Sequence, residues 1–344
     1  MSVRIFALFL AFSVSLPAFA QTAISVPDTA SWQHARSQII LPPKLAGLKR
    51  SSISDNSSSE LDVSVQYESA DSIGTVYLYR PYWNDIGVWF DRSEQGLLAN
   101  KALGNVVAVE DAPTSFARPG GSVASGLYRA YTTSNNKYKA TALAIFPVGH
   151  WFVKLRYSTS NSDPAIAKAK LMEMIAKVRV PVTASEGTVP QAIPTCTTAI
   201  TWKKAKVIKP DLAGTFVTGT IFVELMKLRN ADFLDLPNAC RDGASNERYA
   251  LYRDANDDNN IVMVAGDSGY SVQVLEALFS NKEYWAIASD LAQHALLPTF
   301  TKMPAPDLLF KVVVSGQTVA SITDDPDMPS DQKQESVITV PSRK

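Results

Sequence analysis

Three cations stand where a strand pair would gather them. Arg129 lies in a β-prone run, Ser122 to Thr132, and Lys154 and Arg156 lie two apart in the run Trp151 to Tyr157. Side chains two apart on a strand share a face. The three therefore form a candidate anion site or a docking face for an acidic partner, with a solvated sheet face as the plainer alternative. His150 precedes this strand in a Pro147-Val148-Gly149-His150 turn, beside Trp151, where a histidine can border a pocket. A third candidate is the stretch Arg80-Pro81-Tyr82-Trp83, whose rings, if exposed, would carry binding energy as interface aromatics do.

One serine invites a catalytic reading. Gly266-Asp267-Ser268-Gly269 resembles the nucleophile loop of chymotrypsin-like serine proteases. Such a serine needs a base within hydrogen-bond reach and a third group to orient that base. The resemblance implies a histidine in an Ala-Ala-His-Cys setting, but His150 is flanked by Gly149 and Trp151, and Tyr270 stands where that family has another glycine. A tight turn between two strands accounts for the glycines without chemistry.

Asp254 to Asn260 is a run of seven residues, six of them Asp or Asn. Calcium accepts such oxygens, but the central glycine and closing glutamate of an EF-hand loop are absent. Asp and Asn also bond to their own backbone in hairpin turns, so both readings stand at this stage. The three histidines, His34, His150 and His294, are too scattered for a metal set. Neither a dinucleotide glycine fingerprint nor a phosphate-binding loop occurs. The sequence thus predicts no cofactor and no metal.

Composition sets the class. The chain has 344 residues with 33 basic and 33 acidic side chains, so nothing draws it to a nucleic-acid backbone. Residues 1–20 read as a secretory signal peptide: Arg4 in the charged region, an apolar run from Ile5 to Leu16, and Ala18-Phe19-Ala20 before the cut. No later segment is long and apolar enough to cross a bilayer. Cys196 and Cys240 are the two cysteines, and in an oxidising compartment an even pair predicts one disulfide. Two free thiols or a metal-ligand pair are the alternatives.

The elements that must hold these residues follow from periodicity. In residues 21–182, Trp32 to Ile40 is a short helix or strand, and Lys49 to Ile53 is a strand. After a polar turn at 54–60, Leu61 to Tyr67 alternates as a half-buried strand and pairs with Thr75 to Arg80. A helix capped by Asn84 or Asp85 follows, with Ile86, Trp89, Phe90, Ser93, Leu97 and Leu98 on one apolar face. Val106 to Val109 is a short strand, 110–121 a loop. The strands Lys139–Phe146 and Trp151–Tyr157 precede a helix that opens at Asp163-Pro164, with Leu171, Met174, Ile175 and Val178 as its stripe.

The order LDVSVQY, TVYLYRP, NDIGVWFDRSEQGLLAN, ATALAIFPVGHWFVKLRYS, DPAIAKAKLMEMIAKVRV resembles the PsbP/Mog1-type α/β/α sandwich over about residues 40–182. That resemblance implies an antiparallel sheet packed by helices and a binding or accessory role.

Residues 183–195 read as a linker and 196–323 as a second α+β domain. There, Thr198 to Ile208 is a strand pair or short helix, Thr215 to Leu225 a strand, Tyr249–Tyr252 and Ile261–Ala265 a hairpin, and Val272 to Phe279 a strand or helix start. Lys282 to Leu297 is read as a helix, Leu308–Val314 and Thr318–Ile322 as a closing hairpin, and 324–344 as a mobile polar tail.

The whole predicts an α+β protein, periplasmic or secreted, acting without catalysis as an interaction or accessory protein of the cell envelope. Its partner would be a protein or a small ligand, with no nucleic acid and no membrane span. A hydrolase with its site in the inter-domain cleft, and a small-ligand or calcium-binding module, are the alternatives.

Overall fold

The computed structural model describes residues 21–323 apart from 58, 82, 209–211, 229–235, 237, 278–282 and 292. It adds the backbone of 336–338, and of 212, 227 and 228 it gives the backbone alone. Residues 1–20, expected to be a signal peptide, Tyr82 and most of the tail lie outside the described residues.

In chain order the first half runs β1 (Thr22–Ala23), β2 (Trp32–Gln33), β3 (Ile40–Leu41), β4 (Lys44–Leu45), β5 (Leu48–Asp55), β6 (Asp62–Glu68), β7 (Ser72–Tyr79) and α1 (Ile86–Leu98). It continues with β8 (Val106–Ala108), β9 (Thr114–Phe116), β10 (Gly126–Thr133), β11 (Ala140–Val148), β12 (Trp151–Thr159) and α2 (Pro164–Lys177). The second half has α3 (Leu212–Leu228), β13 (Ala239–Arg241), β14 (Tyr249–Asp254), β15 (Ile261–Ala265), β16 (Ser271–Glu276), β17 (Tyr284–Asp290) and β18 (Gln293–Leu296). It closes with α4 (Pro306–Ser315), β19 (Ala320–Thr323) and β20 (Ser336–Ile338).

The fold is α+β, with two large antiparallel sheets. The first has the order β1-β5-β6-β7-β12-β11-β10-β8, with β4 beside β5 and β9 beside β10. The second is a meander in chain order, β13 to β20. Local chemistry explains the first-half boundaries. Asp85 caps α1 by accepting from the Val88 amide at 3.2 Å, and Asp163 caps α2, whose first residue is Pro164. Gly149 has φ 62° in the two-residue turn joining β11 to β12, the conformation a tight hairpin asks of a glycine.

Five layers result. α2 covers the outer face of the first sheet, where Ala167, Leu171, Met174 and Ile175 meet Val63, Val65, Val153 and Leu155. The inner face is covered by α1. On α1's far side lie Ala250, Tyr252, Val262 and Val264 of the second sheet, in the same apolar cluster. α4 closes the outer face of the second sheet through Leu309 and Val312. α3 packs Phe222, Val223 and Met226 beside α1's territory, on Ile287, Leu296, Ala320 and Ile322.

α1 therefore departs from the one-faced helix that the sequence predicts. Trp89 and Phe90 are buried, and so are Asp91, Arg92, Ser93 and Glu94 on the remaining flanks, whereas Leu98 is among the exposed apolar side chains. Lying between two sheets, α1 meets water only toward its C-terminal end, at Gly96 and Leu98, and its buried polar residues become the ties described below. Segment 183–195 has no helix or strand and lies along the first half. Glu186 Oε2 accepts from the Ser122 and Val123 amides at 2.7 Å, and Gly87 leaves room for the Gln191 carbonyl.

The second half corrects several expectations. Thr215 to Leu225 is helical. Its β-branched residues favour a strand locally, but Phe222 and Met226, four apart, meet a sheet face that only a helix can cover. Within Lys282 to Leu297 the described residues form β17 and β18 instead of a helix. Both faces of β17 are buried, so its apolar run has no clear period of two and mimics helical spacing. Leu308 to Val314 belongs to α4, which starts at Pro306 and ends at Gly316 with φ 66°. Thr198 to Ile208 holds no helix or strand pair, only a bridge from Val207 to Phe300. The 110–121 loop contains β9, and Trp32 to Ile40 gives two short paired strands. Inside the tail, Ser336–Ile338 pairs with β19, so that part is not a free tail.

Candidate functional site

The first sheet aligns the three sequence-predicted cations. Arg129 stands opposite Leu143, and Leu143 opposite Arg156. Lys154 lies two residues from Arg156 and opposite Ile145 and Tyr77. All three occupy the inner face, toward α1. They differ in what they meet there. Arg129 Nη1 is 2.9 Å from Glu94 Oε1 of α1, and its Nε donates to the Glu110 carbonyl at 2.9 Å. Lys154 is 3% exposed and donates to Asp267 of the second half, at 2.6 Å to Oδ2 and 2.8 Å to the main-chain oxygen. Its ammonium also lies 4.6 Å from the centre of the Tyr77 ring. Arg156 is part-exposed and makes no hydrogen bond or ion pair with a described residue.

A pocket of about 230 Å³ opens beside Arg156, lined by Arg92, Ser93, Gly96, Leu97, Leu143 and Asp267 among others. α1 supplies one wall, β11 and β12 another, and the β15–β16 turn the third. That turn is Gly266-Asp267-Ser268-Gly269. Gly266 and Gly269 have φ 75° and 107°, which glycine alone adopts without strain. A Cβ on Gly269 would lie 3.2 Å from the Pro81 Cα, so the turn is seated against the first half by the absence of a side chain.

The buried charges of the seam are matched. Arg92 donates from Nε to the Gly266 carbonyl at 2.8 Å and from Nη2 to the Glu247 carbonyl at 3.1 Å. Burial lowers its pKa. The Lys154 ammonium holds the Asp267 carboxyl below the usual carboxylate range. Asp91 on α1 accepts from Tyr252 at 2.8 Å and pairs with Arg241, yet burial pushes its carboxyl up to about 6. Burial does the same to Asp62, whose carboxylate accepts from Asn56 Nδ2 at 3.4 Å. In contrast, the Ser93 hydroxyl is buried with no partner. An unpaired buried hydroxyl costs about 1–3 kcal/mol, and this one lines the pocket that Arg156 borders.

The remaining candidates separate. Arg80 is buried and donates from Nε to the Leu291 carbonyl at 2.7 Å, tying the halves together. Trp83 is 5% exposed, its ring edge-on to Tyr252 and its carbonyl accepting from Trp89 Nε1 at 2.7 Å. The expectation of exposed rings at Trp83 is therefore overturned: the ring fills the core beside α1. His150 is exposed at its turn. It borders a different, larger groove of about 1,140 Å³, between Pro147 and the 188–197 segment. It is not brought to Arg156.

No family model, no curated protein and no solved structure matches the chain.

The geometry weighs the other chemistries. Neither other histidine serves Ser268: His34 is buried between Ser37 Oγ and the Glu60 carbonyl at 2.7 Å each, and His294 bonds Ser289 Oγ at 2.9 Å. The Asp254–Asn260 run is a hairpin turn. Asp254 Oδ1 and Asp257 Oδ1 each accept from an amide two residues on at 2.8 Å, and Asp258 pairs with Arg253 at 3.0 Å. Among the described residues no cluster of three or more His, Cys, Asp or Glu could hold a metal. Cys196 and Cys240 form the disulfide, fastening the 194–196 segment to the free edge of β13, where the Cys196 amide donates to the Arg241 carbonyl at 2.9 Å. No described helix is long and apolar enough to cross a membrane.

Sequence reasoning found Lys154 and Arg156 but missed Arg92, Ser93 and Gly96. By spacing alone Ser93 falls on the apolar face of its helix without a polar role, and Arg92 lies off that face, where a polar residue signals solvent. Only the second sheet turns those positions inward.

Proposed function

We propose that the chain is an exported, non-enzymatic accessory protein of the cell envelope that holds a small ligand in the cleft between its two sheets. The observation that carries the reading is the pocket at Arg156. It is walled by both halves of the chain, and it holds a guanidinium that pairs with no carboxylate among the described residues. Ligand sites gather a few unsatisfied polar groups in a mostly apolar concavity, at roughly 300–1,000 Å³ for drug-sized ligands. This one suits something smaller.

Other features support the reading from different sides. The disulfide is the chemistry of an oxidising compartment, in keeping with a cleaved export signal at residues 1–20. The hairpin, helix, antiparallel strands and helix of residues 40–182 follow the order that suggested a PsbP/Mog1-like unit, and that likeness is part of the proposal. With Trp83 buried, a small molecule fits the surface better than a protein held by exposed rings.

The test is a thermal-melting screen of the mature, oxidised protein against neutral, cationic and anionic small molecules, with a fluorophosphonate probe run beside it. The expected result is a rise in melting temperature for one chemical class, lost when Gly96→Met fills the pocket, and no labelling of Ser268. Labelled Ser268, or a screen without any hit, overturns the reading.

A further inference from the structure

We infer that the ligand of this pocket is a small monoanion with a short apolar tail, its carboxylate held by Arg156; this rests on the cleft reading above.

The charge balance selects the anion. Four charged groups line the pocket: Arg92, Lys154, Arg156 and Asp267. Asp267 is committed to Lys154 at 2.6 Å. Asp62 faces the same pair and is coupled to both. Arg92 spends its N–H groups on the carbonyls of Gly266, Asn246 and Glu247, and Asp91 and Asp267 both act on its charge. Arg156 also draws on the charge of Asp267 but makes no ion pair with it. One guanidinium is thus left with its donors open. Its planar fork matches a carboxylate through two parallel bonds.

Ser93 is 5% exposed and lines the same pocket, with its hydroxyl oxygen closed off from it. The rest of the wall is apolar: Leu97, Leu143 and the Tyr77 ring. A Cβ placed on Gly96 would meet nothing within 4 Å, so the helix leaves space where a tail of a few carbons can lie.

Calorimetric titration of the oxidised protein with butyrate, inorganic phosphate and butyramide tests the assignment. Butyrate is expected to bind, phosphate at least tenfold more weakly for want of a tail, and butyramide not detectably. Arg156→Gln should weaken butyrate tenfold or more, and Arg156→Lys less. Gly96→Met should abolish binding while the free protein melts no lower than the wild type, since methionine is a better helix former than glycine. Equal binding of butyrate and butyramide overturns the anion assignment and leaves the cleft reading standing. Phosphate binding without butyrate overturns the tail. Undiminished butyrate binding by Gly96→Met places any affinity elsewhere and overturns the proposal. The cleft reading itself fails separately, when the broader screen yields no ligand of any class.

Discussion

The Lys154 ammonium of β12 lies 2.6 Å from the Asp267 carboxylate of the β15–β16 turn, across the seam between the two sheets. The two partners are unequal: the lysine side chain is 4% exposed and the aspartate side chain 51%. Removing one partner of such a pair costs most when the remaining charge is the buried one. Asp267→Asn should therefore destabilise by about 2 kcal/mol, because Lys154 keeps only the main-chain oxygen and the faces of Tyr77 and Tyr79. Lys154→Met should cost less, about 1 kcal/mol, since Asp267 can turn to water. Urea unfolding of both single variants checks the order; a larger loss for Lys154→Met contradicts the assignment of burial.

The two glycines of the same turn should respond differently to alanine. Gly266 has φ 75° and open space around a Cβ, so Gly266→Ala pays only backbone strain, about 1 kcal/mol. Gly269 has φ 107°, and a Cβ there would lie 3.0 Å from Leu291 and 3.2 Å from the Pro81 Cα. Gly269→Ala should cost roughly 2–3 kcal/mol, combining strain with displacement of the turn from the first half. It should also widen the pocket and weaken any ligand of Arg156, which Gly266→Ala should not do to the same extent.

Stability should rise as pH falls from 7 to about 5. Asp62 and Asp91 titrate near 6 in the folded chain, above the ordinary carboxylate value of 3.8. Between those values the folded state binds more protons than the unfolded one, so acidification favours folding in that window. For Asp91 the shift corresponds to on the order of 3 kcal/mol. Carboxyls held low in the fold, Asp267 among them, act oppositely: their contribution is present above about 4 and is lost as pH falls further. The expected profile has a maximum near pH 5. Asp91→Asn should flatten its alkaline side while leaving the acid fall in place, measured by denaturant midpoints at each pH.

Loss of the disulfide should destabilise by roughly 4 kcal/mol, the loop-entropy value for a bridge spanning 44 residues. The Cys196→Ser/Cys240→Ser double variant should unfold at the same denaturant concentration with or without reductant, and the wild type should fall to that value when reduced. Limited proteolysis should then cut first within the 183–195 segment, whose anchor at β13 is gone.

The first half was legible because its signals are local. Asp163 with Pro164, Gly149 in its turn, and the alternation from Leu61 to Tyr67 act within a few residues of themselves. The second half was less so. β17 is buried on both faces and loses its period of two, and the Phe222–Met226 face of α3 is helical only because a sheet lies under it. The Pro306 start and Gly316 stop of α4 were present in the chain, but the apolar run between them reads equally as a strand.

The same division holds for the site. The spacing of Lys154 and Arg156 places them on one sheet face whatever surrounds them, and two cysteines in a chain read as exported suffice to expect their bond. What those cations do could be decided only by packing. The second sheet covers α1, buries Arg92 and Ser93, and brings Asp267 to Lys154 but not to Arg156. Periodicity acts along a strand or helix and is written in neighbouring residues. Neutralising one cation while sparing another two residues away requires a carboxylate 113 positions along the chain, and that distance is closed by tertiary contact alone.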